Sequence, residues 1–532
     1  MTVTIFLLLP YNTGMDRSRI LPGAAASALL ALALVLGCYQ ANDFDLPWHL
    51  KTGEWIAAHY AVPATDFFSF TRAGMEWLDT QWLFQLGIYG MTRALGPAGV
   101  TVFVMLGAAA LLFLVAFATP GARPGARALG GLLFLFAVNP RLLPRPEMVS
   151  FLSLAGLIFI FERARLGRPR LLWLTFPVAV VWANCEGLWP IGPFVAAVYT
   201  AEAWLADRRS PARRSLRPWL AATAAAALAG LLQPYGLRGF LFPLTLFWEV
   251  AHPASLHKQM VGEFQPLFAL PLLPGLFLPL IALAVVTALA IALAGRRLRP
   301  GQLALAAVFF GLALSARRNL GLAAVALAPA LITHLELAAA GRPRLDRPRP
   351  QAALSLSAIS GSIALIAVCL IWPTRIWDHS FRDLGFGLSP RFYPAAAVNF
   401  LRGVGYRGRI VNDTGIGGYL IYRGWPEWQV SADSRLEIGG EQWLSGATDV
   451  FTDPEAFARM VKESGVEAVV VYHPQPYLRV FALRLANDPN WGLVFLDAKC
   501  AVFLKRNDRW RKTIAAHQVD LNEVAKKRNA GK

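Results

Sequence analysis

Long apolar segments separated by short polar loops occupy most of the chain up to residue 373. As helices, these segments reach or approach the length that crosses a bilayer, and the shorter ones need tilt or neighbouring helices to do so. They lie near residues 20–40, 97–118, 128–141, 147–161, 171–186, 188–206, 217–233, 273–295, 301–316, 319–336 and 352–373. The pattern predicts an α-helical polytopic membrane domain over residues 20–373, with about eleven transmembrane helices.

From about Thr374 the pattern changes to short apolar runs bounded by polar and turn-forming residues, which is typical of a water-soluble α/β domain. The predicted elements are helices at 394–403 and 453–464, buried strands at 408–413 and 466–473, and a hairpin at 491–506. We therefore predict an α/β domain over residues 374–506. The basic segment that follows, residues 507–532, is predicted to be a flexible tail.

Two further segments of this domain, residues 417–423 and 428–435, alternate between apolar and polar positions. The alternation predicts a pair of strands, with the glycines at 415, 417 and 418 allowing a tight turn beside them. Asp433 and Arg435 then lie on one face of the second strand. There they either form a structural ion pair or contact a bound substrate.

The composition fits a membrane protein, because 56% of the 532 residues are hydrophobic and 16% are charged. The net charge of +18 comes from short arginine clusters between apolar segments, which indicates membrane orientation rather than binding to nucleic acid. These clusters place the N-terminus, residues 1–19, in the cytoplasm. An odd number of spans then places the α/β domain outside, and no cleaved signal peptide is expected.

The first outer loop, residues 41–96, begins with the stretch of the chain that is richest in acids and aromatic residues, Asn42 to Trp82. Its punctuation by proline and glycine predicts two short helices lying in the membrane interface, with the aromatic rings at headgroup depth. Acidic side chains are costly beside lipid, so their concentration here predicts a functional site.

Several motifs make the chain resemble bacterial GT-C-type glycosyltransferase-like membrane proteins. They are Asp43-x-Asp45 followed by WHL at 48–50, the run PATDFFSFTRAGMEW at 63–77, QPYG at 233–236, MVGEFQPL at 260–267, ARRN at 316–319, and GGYL and ADSR in the α/β domain. The resemblance implies a multi-pass protein of the bacterial inner membrane. It also implies transfer of a hexosyl or pentosyl group from a polyprenyl-phosphate-linked donor to a glycan, lipid or protein acceptor outside the cytoplasm.

In related enzymes an acid of the first outer loop is the base, and Asp43 and Asp45 match that position. We predict that both are catalytic, with Asp43 as the base and Asp45 as its helper. The alternative is that one caps the helix near Trp48 while the other is solvated. If a divalent metal ion takes part, these two carboxylates are its predicted ligands; no other cofactor is indicated.

A departing lipid phosphate needs fixed positive charge, for which arginine is suited. The predicted substrate-binding residues are Trp48, His49, Arg141, Arg145, Glu186, Glu263, Arg317 and Arg318. The alternatives are that the arginines bind lipid headgroups or pair with Glu147 and Glu263. For the others, the alternatives are that Glu263 fixes its own loop, that Glu186 pairs with a neighbouring arginine, and that His49 is a polar neighbour only. All of these residues are predicted to surround one cavity. At residues 184–187 the chain has Asn-Cys-Glu-Gly where the family resemblance implies Asn-x-His-Gly, so no histidine role is assigned there.

A second hypothesis is a non-catalytic membrane component that assists envelope polysaccharide assembly or binds a lipid carrier. It shares the predicted architecture and partners, namely membrane lipids and a polyprenyl-phosphate-linked sugar. It differs in requiring no base at Asp43 or Asp45. The sequence alone does not identify the sugar, the donor lipid or the acceptor.

Overall fold

The computed structural model describes residues 17–208, 215–252, 255–340, 342, 348–371, 382–435, 437–521 and 523. The predictions for the start of the N-terminal segment, for a signal peptide and for the last part of the tail concern residues outside these ranges. All statements below refer to the described residues.

The N-terminal part is helical. Its helices are α1 Arg17–Gly37, α2 Leu46–His59, α3 Trp82–Leu95, α4 Ala98–Phe117, α5 Pro124–Val138, α6 Glu147–Arg165, α7 Thr175–Cys185, α8 Ile191–Arg208, α9 Arg217–Ala229, α10 Gly236–Ala251, α11 Leu256–Met260, α12 Pro274–Ala294, α13 Pro300–Ser315, α14 Leu320–Ala340 and α15 Pro348–Ile371. Each predicted apolar segment contains one of them. The chain is therefore a multi-pass membrane protein.

Among the described residues, five helices are long and apolar enough to cross a membrane: α1, α4, α12, α14 and α15. The remaining apolar helices are shorter. Helix α14 lies at the centre, with residues 320–334 buried without interruption, and packs against α12, α13 and α5. Gly321 lets α14 approach α6 closely, since a Cβ there would lie 2.2 Å from the ring of Phe151.

The outer segments differ partly from the prediction. The stretch from Asn42 to Trp82 contains one of its two predicted short helices, α2; residues 60–81 are irregular, and α3 begins only at Trp82. Residues 234–272, which lie between two predicted apolar segments and outside both, nevertheless contain helix α10. This helix exposes large apolar side chains, including Phe247 and Trp248. Its proline at 243 and its mixed composition interrupt the apolar run that sequence analysis requires for a span.

The α/β domain follows α15. Its elements are α16 Ala395–Gly403, β1 Gly408–Asn412, α17 Thr414–Gly424, β2 Trp428–Val430, α18 Gly440–Thr452, α19 Pro454–Ser464, β3 Ala468–Tyr472, α20 Pro476–Ala486, β4 Trp491–Leu496, β5 Cys500–Lys505 and α21 Arg511–His517. The sheet order is β2-β1-β3-β5-β4. Strands β2, β1 and β3 are parallel, and β4 and β5 form an antiparallel hairpin.

The prediction of paired strands at 417–423 and 428–435 was wrong. Residues 414–424 form helix α17, which begins where the Asp413 carboxylate accepts hydrogen bonds from the backbone N–H groups of Gly415 and Ile416. Strand β2 ends at Val430. The glycines do not form a turn between strands. Gly417 instead allows α17 to lie against the backbone of Ala432, whose carbonyl oxygen would be 1.9 Å from a Cβ.

The first outer loop and the α/β domain form one structure. The backbone N–H of Phe70 donates to the carbonyl of Val430 at 3.0 Å, which extends the sheet beyond β2. Trp48 and Trp77 are 3% and 0% exposed and belong to the core of the domain. The expectation that these two rings lie at headgroup depth was therefore wrong, because the domain covers them.

The predicted flexible tail also begins with ordered structure. Helix α21 places Ile514 in the domain core, and Trp510, just before it, is buried. Residues 507–517 are thus a packed element, which the many basic residues of this segment obscured in the sequence.

Candidate functional site

A cavity of about 630 Å³ lies between the membrane helices and the α/β domain. Its walls come from the start of α2, from the loops that follow α5, α7 and α13, and from residues 258–264. Ser434 and Glu437 of the α/β domain close it from above. These segments include the outer loops that the sequence predicted to converge on one cavity.

Arg145 connects the first outer loop to this cavity. Its guanidinium contacts the carboxylate of Asp43, lies 3.1 Å from Asp45 Oδ2 and lies 3.1 Å from Glu263 Oε2. Burial opposes the charge of Arg145, but these carboxylates outweigh it and raise its pKa well above the usual value. Arg145 is therefore a permanent cation held by three acids.

The two aspartates of Asp-Phe-Asp have different surroundings. Asp43 is buried, and its Oδ1 accepts from the backbone N–H groups of Asp45 and Leu46 at 2.8 and 3.1 Å. Asp45 lines the cavity, with 23% of its side chain exposed. Between them, Phe44 turns the other way and packs against Phe392 of the α/β domain, with ring centroids 4.5 Å apart. Asp43 thus holds the start of α2, and Asp45 faces the cavity.

The surroundings shift the pKa of two carboxyl groups at the cavity, those of Asp45 and Glu263. Burial raises the pKa of Asp45 to about 6, against the attraction of Arg145 and with a further contribution from the charge of Asp43. For Glu263 burial acts in the same direction, but Arg145, Arg141 and Arg318 outweigh it and lower its pKa to about 2. A carboxylate whose pKa approaches neutrality is suited to accept a proton, and Asp45 has that property.

Arg141 forms a second ion cluster beside the first. It contacts Glu147 and lies 3.4 Å from Glu263 Oε2, so the paired state that the sequence analysis left open is the one observed. Arg141 itself does not line the cavity, whereas Glu147 does.

The neighbouring arginines of the ARRN motif point in different directions. Arg317 is buried and donates to the carbonyls of Ala269 and Pro271 at 2.6 and 3.2 Å. Arg318 lines the cavity and stacks over Phe264, 4.9 Å from the ring centroid. Because the two lie on one short 3-10 turn, they project to different sides. Arg317 thus contacts the backbone of the loop at residues 265–271 rather than the cavity.

The other predicted residues, Trp48, His49 and Glu186, all line the cavity. Burial, together with Arg145, lowers the pKa of His49 well below its usual value, so the ring is neutral. Burial raises the pKa of Glu186 to about 7, against the attraction of Arg318. Asn184 does not line the cavity, and its Oδ1 accepts a hydrogen bond from Trp82 Nε1 at 2.8 Å.

Sequence analysis missed Ser434 and Glu437. Ser434 Oγ accepts from Trp48 Nε1 at 3.2 Å, and Glu437 Oε1 accepts from Trp77 Nε1 at 3.3 Å. Ser434 belongs to the ADSR motif, and Glu437 lies two residues after it. The charged residues of the motif, Asp433 and Arg435, were considered in the sequence analysis instead. A polar run after a short strand was the one available signal.

Asp433 and Arg435 form the support of this upper wall rather than part of the cavity. Arg435 lies 2.7 Å from both Asp433 and Asp66, and Arg72 lies 2.6 Å from Asp433. All four residues are at most 2% exposed. Although burial alone would raise it, Arg435 and Arg72 hold the pKa of Asp433 well below its usual range. The predicted structural ion pair is present and extends to the first outer loop.

The cavity continues into an apolar groove between α8, α10 and α13. Phe194, Phe242, Phe247, Val308 and Phe309 line it. A polar pocket that opens into an apolar groove suits a ligand with a charged head and a hydrocarbon chain.

The described residues contain no group of three or more histidine, cysteine, aspartate or glutamate side chains arranged to hold a metal ion. The predicted metal ligands, Asp43 and Asp45, are both paired with Arg145. The guanidinium stands where a cation between these carboxylates would lie, so this arrangement does not fit a metal site and no step is assigned to one.

No family model matches the chain, and no curated protein matches it. Its structure is similar to that of oligosaccharyltransferase AglB from Archaeoglobus fulgidus in complex with an inhibitory peptide and a dolichol-phosphate. The TM-score is 0.59 at 13% identity, over 93% of this chain and 75% of that one. ArnT from Cupriavidus metallidurans bound to undecaprenyl phosphate gives a TM-score of 0.53 at 13% identity, over 92% and 98%.

These similarities establish the fold. The chain is a helical membrane protein with the GT-C architecture and a small C-terminal mixed-sheet domain, which confirms the fold class and the resemblance predicted from the sequence. The number of transmembrane helices stays a prediction.

Proposed function

We propose that this protein is a membrane glycosyltransferase that moves a sugar from a polyprenyl-phosphate-linked donor to an acceptor outside the cytoplasm. The observation that carries the proposal is the cavity itself, in which a partly buried carboxylate, Asp45, and an arginine, Arg318, face one space that continues into an apolar groove. The groove suits the hydrocarbon chain of the donor. The fold is one in which the similar structures bind dolichol-phosphate and undecaprenyl phosphate.

In this proposal Asp45 takes the proton of the acceptor hydroxyl or amide as the new bond to the anomeric carbon forms. The bond from that carbon to the phosphate oxygen breaks, and the lipid phosphate leaves with the electron pair. A single displacement of this kind inverts the anomeric centre. Asp43, which the sequence favoured as the base, positions Arg145 and the start of α2 instead, because both of its oxygens are already bonded.

Arg318 is the proposed partner of the lipid phosphate. Arg141 and Arg145 are already paired with carboxylates, whereas Arg318 has no ion pair among the described residues and its Nε has no hydrogen-bond partner there. Lys258 adds a second cation to the same cavity. A phosphate at Arg318 would therefore receive charge-assisted hydrogen bonds without displacing an existing pair.

Replacing Arg318 by alanine is expected to weaken binding of undecaprenyl phosphate by roughly 10- to 100-fold, the usual loss for a hydrogen bond to a charged group. The measurement is a titration of purified protein in nanodiscs. Arg238→Ala is the matched control, because Arg238 is exposed and pairs with Glu76 outside the cavity. Equal losses in both variants, or none in Arg318→Ala, would count against the assignment.

We also propose that the protein lies in the bacterial inner membrane with its N-terminus in the cytoplasm and the α/β domain outside. The arginine clusters between apolar segments support this orientation. A reporter enzyme that works only outside the cytoplasm should be active when fused after Arg506. Activity of a cytoplasmic reporter at that position would reverse the orientation and place the cavity on the wrong side for an external acceptor.

A further inference from the structure

The cavity has two chemically different halves. Arg318, Lys258 and Arg145 line one half, beside the carboxyl groups of Asp45, Glu186 and Glu263. The half under the α/β domain is lined by Trp48, His49, Gln81, Ser434 and Glu437. These residues come from the first outer loop and from a turn more than 350 positions later in the chain.

The second half contains polar atoms that have no hydrogen-bond partner among the described residues. His49 is 2% exposed, lines the cavity, and has an Nδ1 atom without a hydrogen-bond partner among the described residues. Gln81 Oε1 also has no partner there. Glu437 adds a carboxylate that receives one bond, from Trp77. Buried polar atoms without partners are costly, so this half is complementary to a ligand that both donates and accepts hydrogen bonds.

A phosphate or carboxylate would bring only further acceptors and negative charge. A sugar brings several hydroxyl groups, which can donate to Glu437 or Gln81 Oε1, exchange a hydrogen bond with His49 and accept from the amide of Gln81. The indole of Trp48, which reaches the cavity wall, offers an apolar surface for the C–H face of a sugar ring. Because neutral side chains of this half offer both hydrogen-bond donors and acceptors, they suit hydroxyl groups better than a simple cation.

We propose that His49, Gln81, Ser434 and Glu437, together with Trp48, form a saccharide subsite beneath the α/β domain. The proposal rests on the proposed function and adds an orientation to it. The sugar lies under the domain while the lipid phosphate lies at Arg318. The subsite is rigid, because the ion network of Asp66, Asp433 and Arg435 fixes the turn that carries Ser434 and Glu437 against the loop.

The hydroxyl groups belong either to the sugar of the donor or to a saccharide acceptor, and binding to full-length protein in nanodiscs distinguishes the two. The probes are undecaprenyl phosphate, the same lipid carrying a hexose or a pentose, and a free oligosaccharide. The variants are Glu437→Gln and Gln81→Met, both close in shape to the native residues. Binding of bare undecaprenyl phosphate should stay unchanged in both, which also shows that they fold.

If the subsite holds the donor sugar, wild-type protein binds the sugar-bearing lipid more tightly than the bare lipid, and each variant loses roughly 10-fold of that preference. If it holds the acceptor, each variant loses a similar factor toward the oligosaccharide instead. Variants that keep wild-type affinity for every probe overturn the subsite. So does a wild-type protein that binds the bare lipid but prefers no saccharide, a result that leaves the proposed function standing. Wild-type protein that binds none of the lipids contradicts the proposed function itself.

Discussion

Asp45→Asn is expected to lower sugar transfer by roughly 10²- to 10⁴-fold, the usual contribution of a positioned general base. The substitution keeps the shape of the side chain but removes its ability to take a proton. Because Asp45 lines the cavity and contributes little to the core, the amount of protein in the membrane should stay normal. Transfer is measured with purified protein, a lipid-linked sugar and extracts that contain acceptors.

The pH dependence gives a second test of the same group. The pKa of Asp45 is raised to about 6, so the wild-type rate should fall as the pH drops below that value and the carboxylate becomes protonated. The residual rate of Asp45→Asn should lack this inflection. Glu54→Gln is the matched control, since Glu54 lies on α2, the helix that follows Asp45, is 47% exposed and pairs with Lys51.

Asp43→Asn is expected to behave differently. It removes a buried charge that Arg145 and the start of α2 depend on, so lower stability should accompany any loss of activity. A well-folded, inactive Asp43→Asn protein beside an active Asp45→Asn protein would restore the assignment favoured by the sequence. If the double variant leaves the envelope glycans of the host unchanged although deletion of the protein alters them, the non-catalytic hypothesis is correct.

The largest loss of stability is expected for Arg435→Ala, at roughly 3–5 kcal/mol, the usual cost of breaking a buried ion pair. The change leaves the carboxylate of Asp66 without its arginine and Asp433 with Arg72 alone. It also removes the guanidinium that lies 4.6 Å from the ring centroid of Trp77. A thermal-shift assay in detergent and the amount of protein in the membrane both report the effect.

Arg509→Ala is the control for this experiment. Arg509 also pairs with a carboxylate of the α/β domain, Glu467, at 2.8 Å, but half of its side chain is exposed. Exposed pairs contribute about 0–1 kcal/mol, so this variant should unfold close to the wild-type temperature. Similar stability of the two variants would mean that the buried network does not hold the loop to the domain.

Sequence patterns predicted what depends on neighbours along the chain. The apolar segments were correctly predicted as helices because burial of a continuous apolar stretch needs no distant partner. Arg145 was correctly predicted to lie at the cavity because its loop is short. Residues 417–423 were assigned wrongly because the apolar side chains of GGYLIYR fit a period of two as well as a helical face. The segment forms a helix because the Asp413 side chain caps its first turn, whatever the alternation of its apolar residues.

What the sequence did not predict depends on contacts between distant segments. Nothing local distinguishes Asp43 from Asp45; the difference arises because Phe44 inserts into a domain that begins hundreds of residues later. Arg317 and Arg318 differ for a similar reason, since the loop at residues 265–271 supplies carbonyls to one of them. Glu437 could not be recognised until the first outer loop was placed beneath it.

The contribution of Phe68 and Trp77 to the core of the α/β domain has a consequence for biosynthesis. Trp77 precedes its partner Glu437 by 360 residues. At about 5–20 residues per second, a ribosome needs roughly 20–70 s to make that length of chain. For most of this interval the loop has been translated while the strands that cover its aromatic rings, the first of which begins at Gly408, have not. A nascent chain halted before residue 408 should therefore expose these rings to proteases or to a chaperone, and should lose that sensitivity once the last strand has been released.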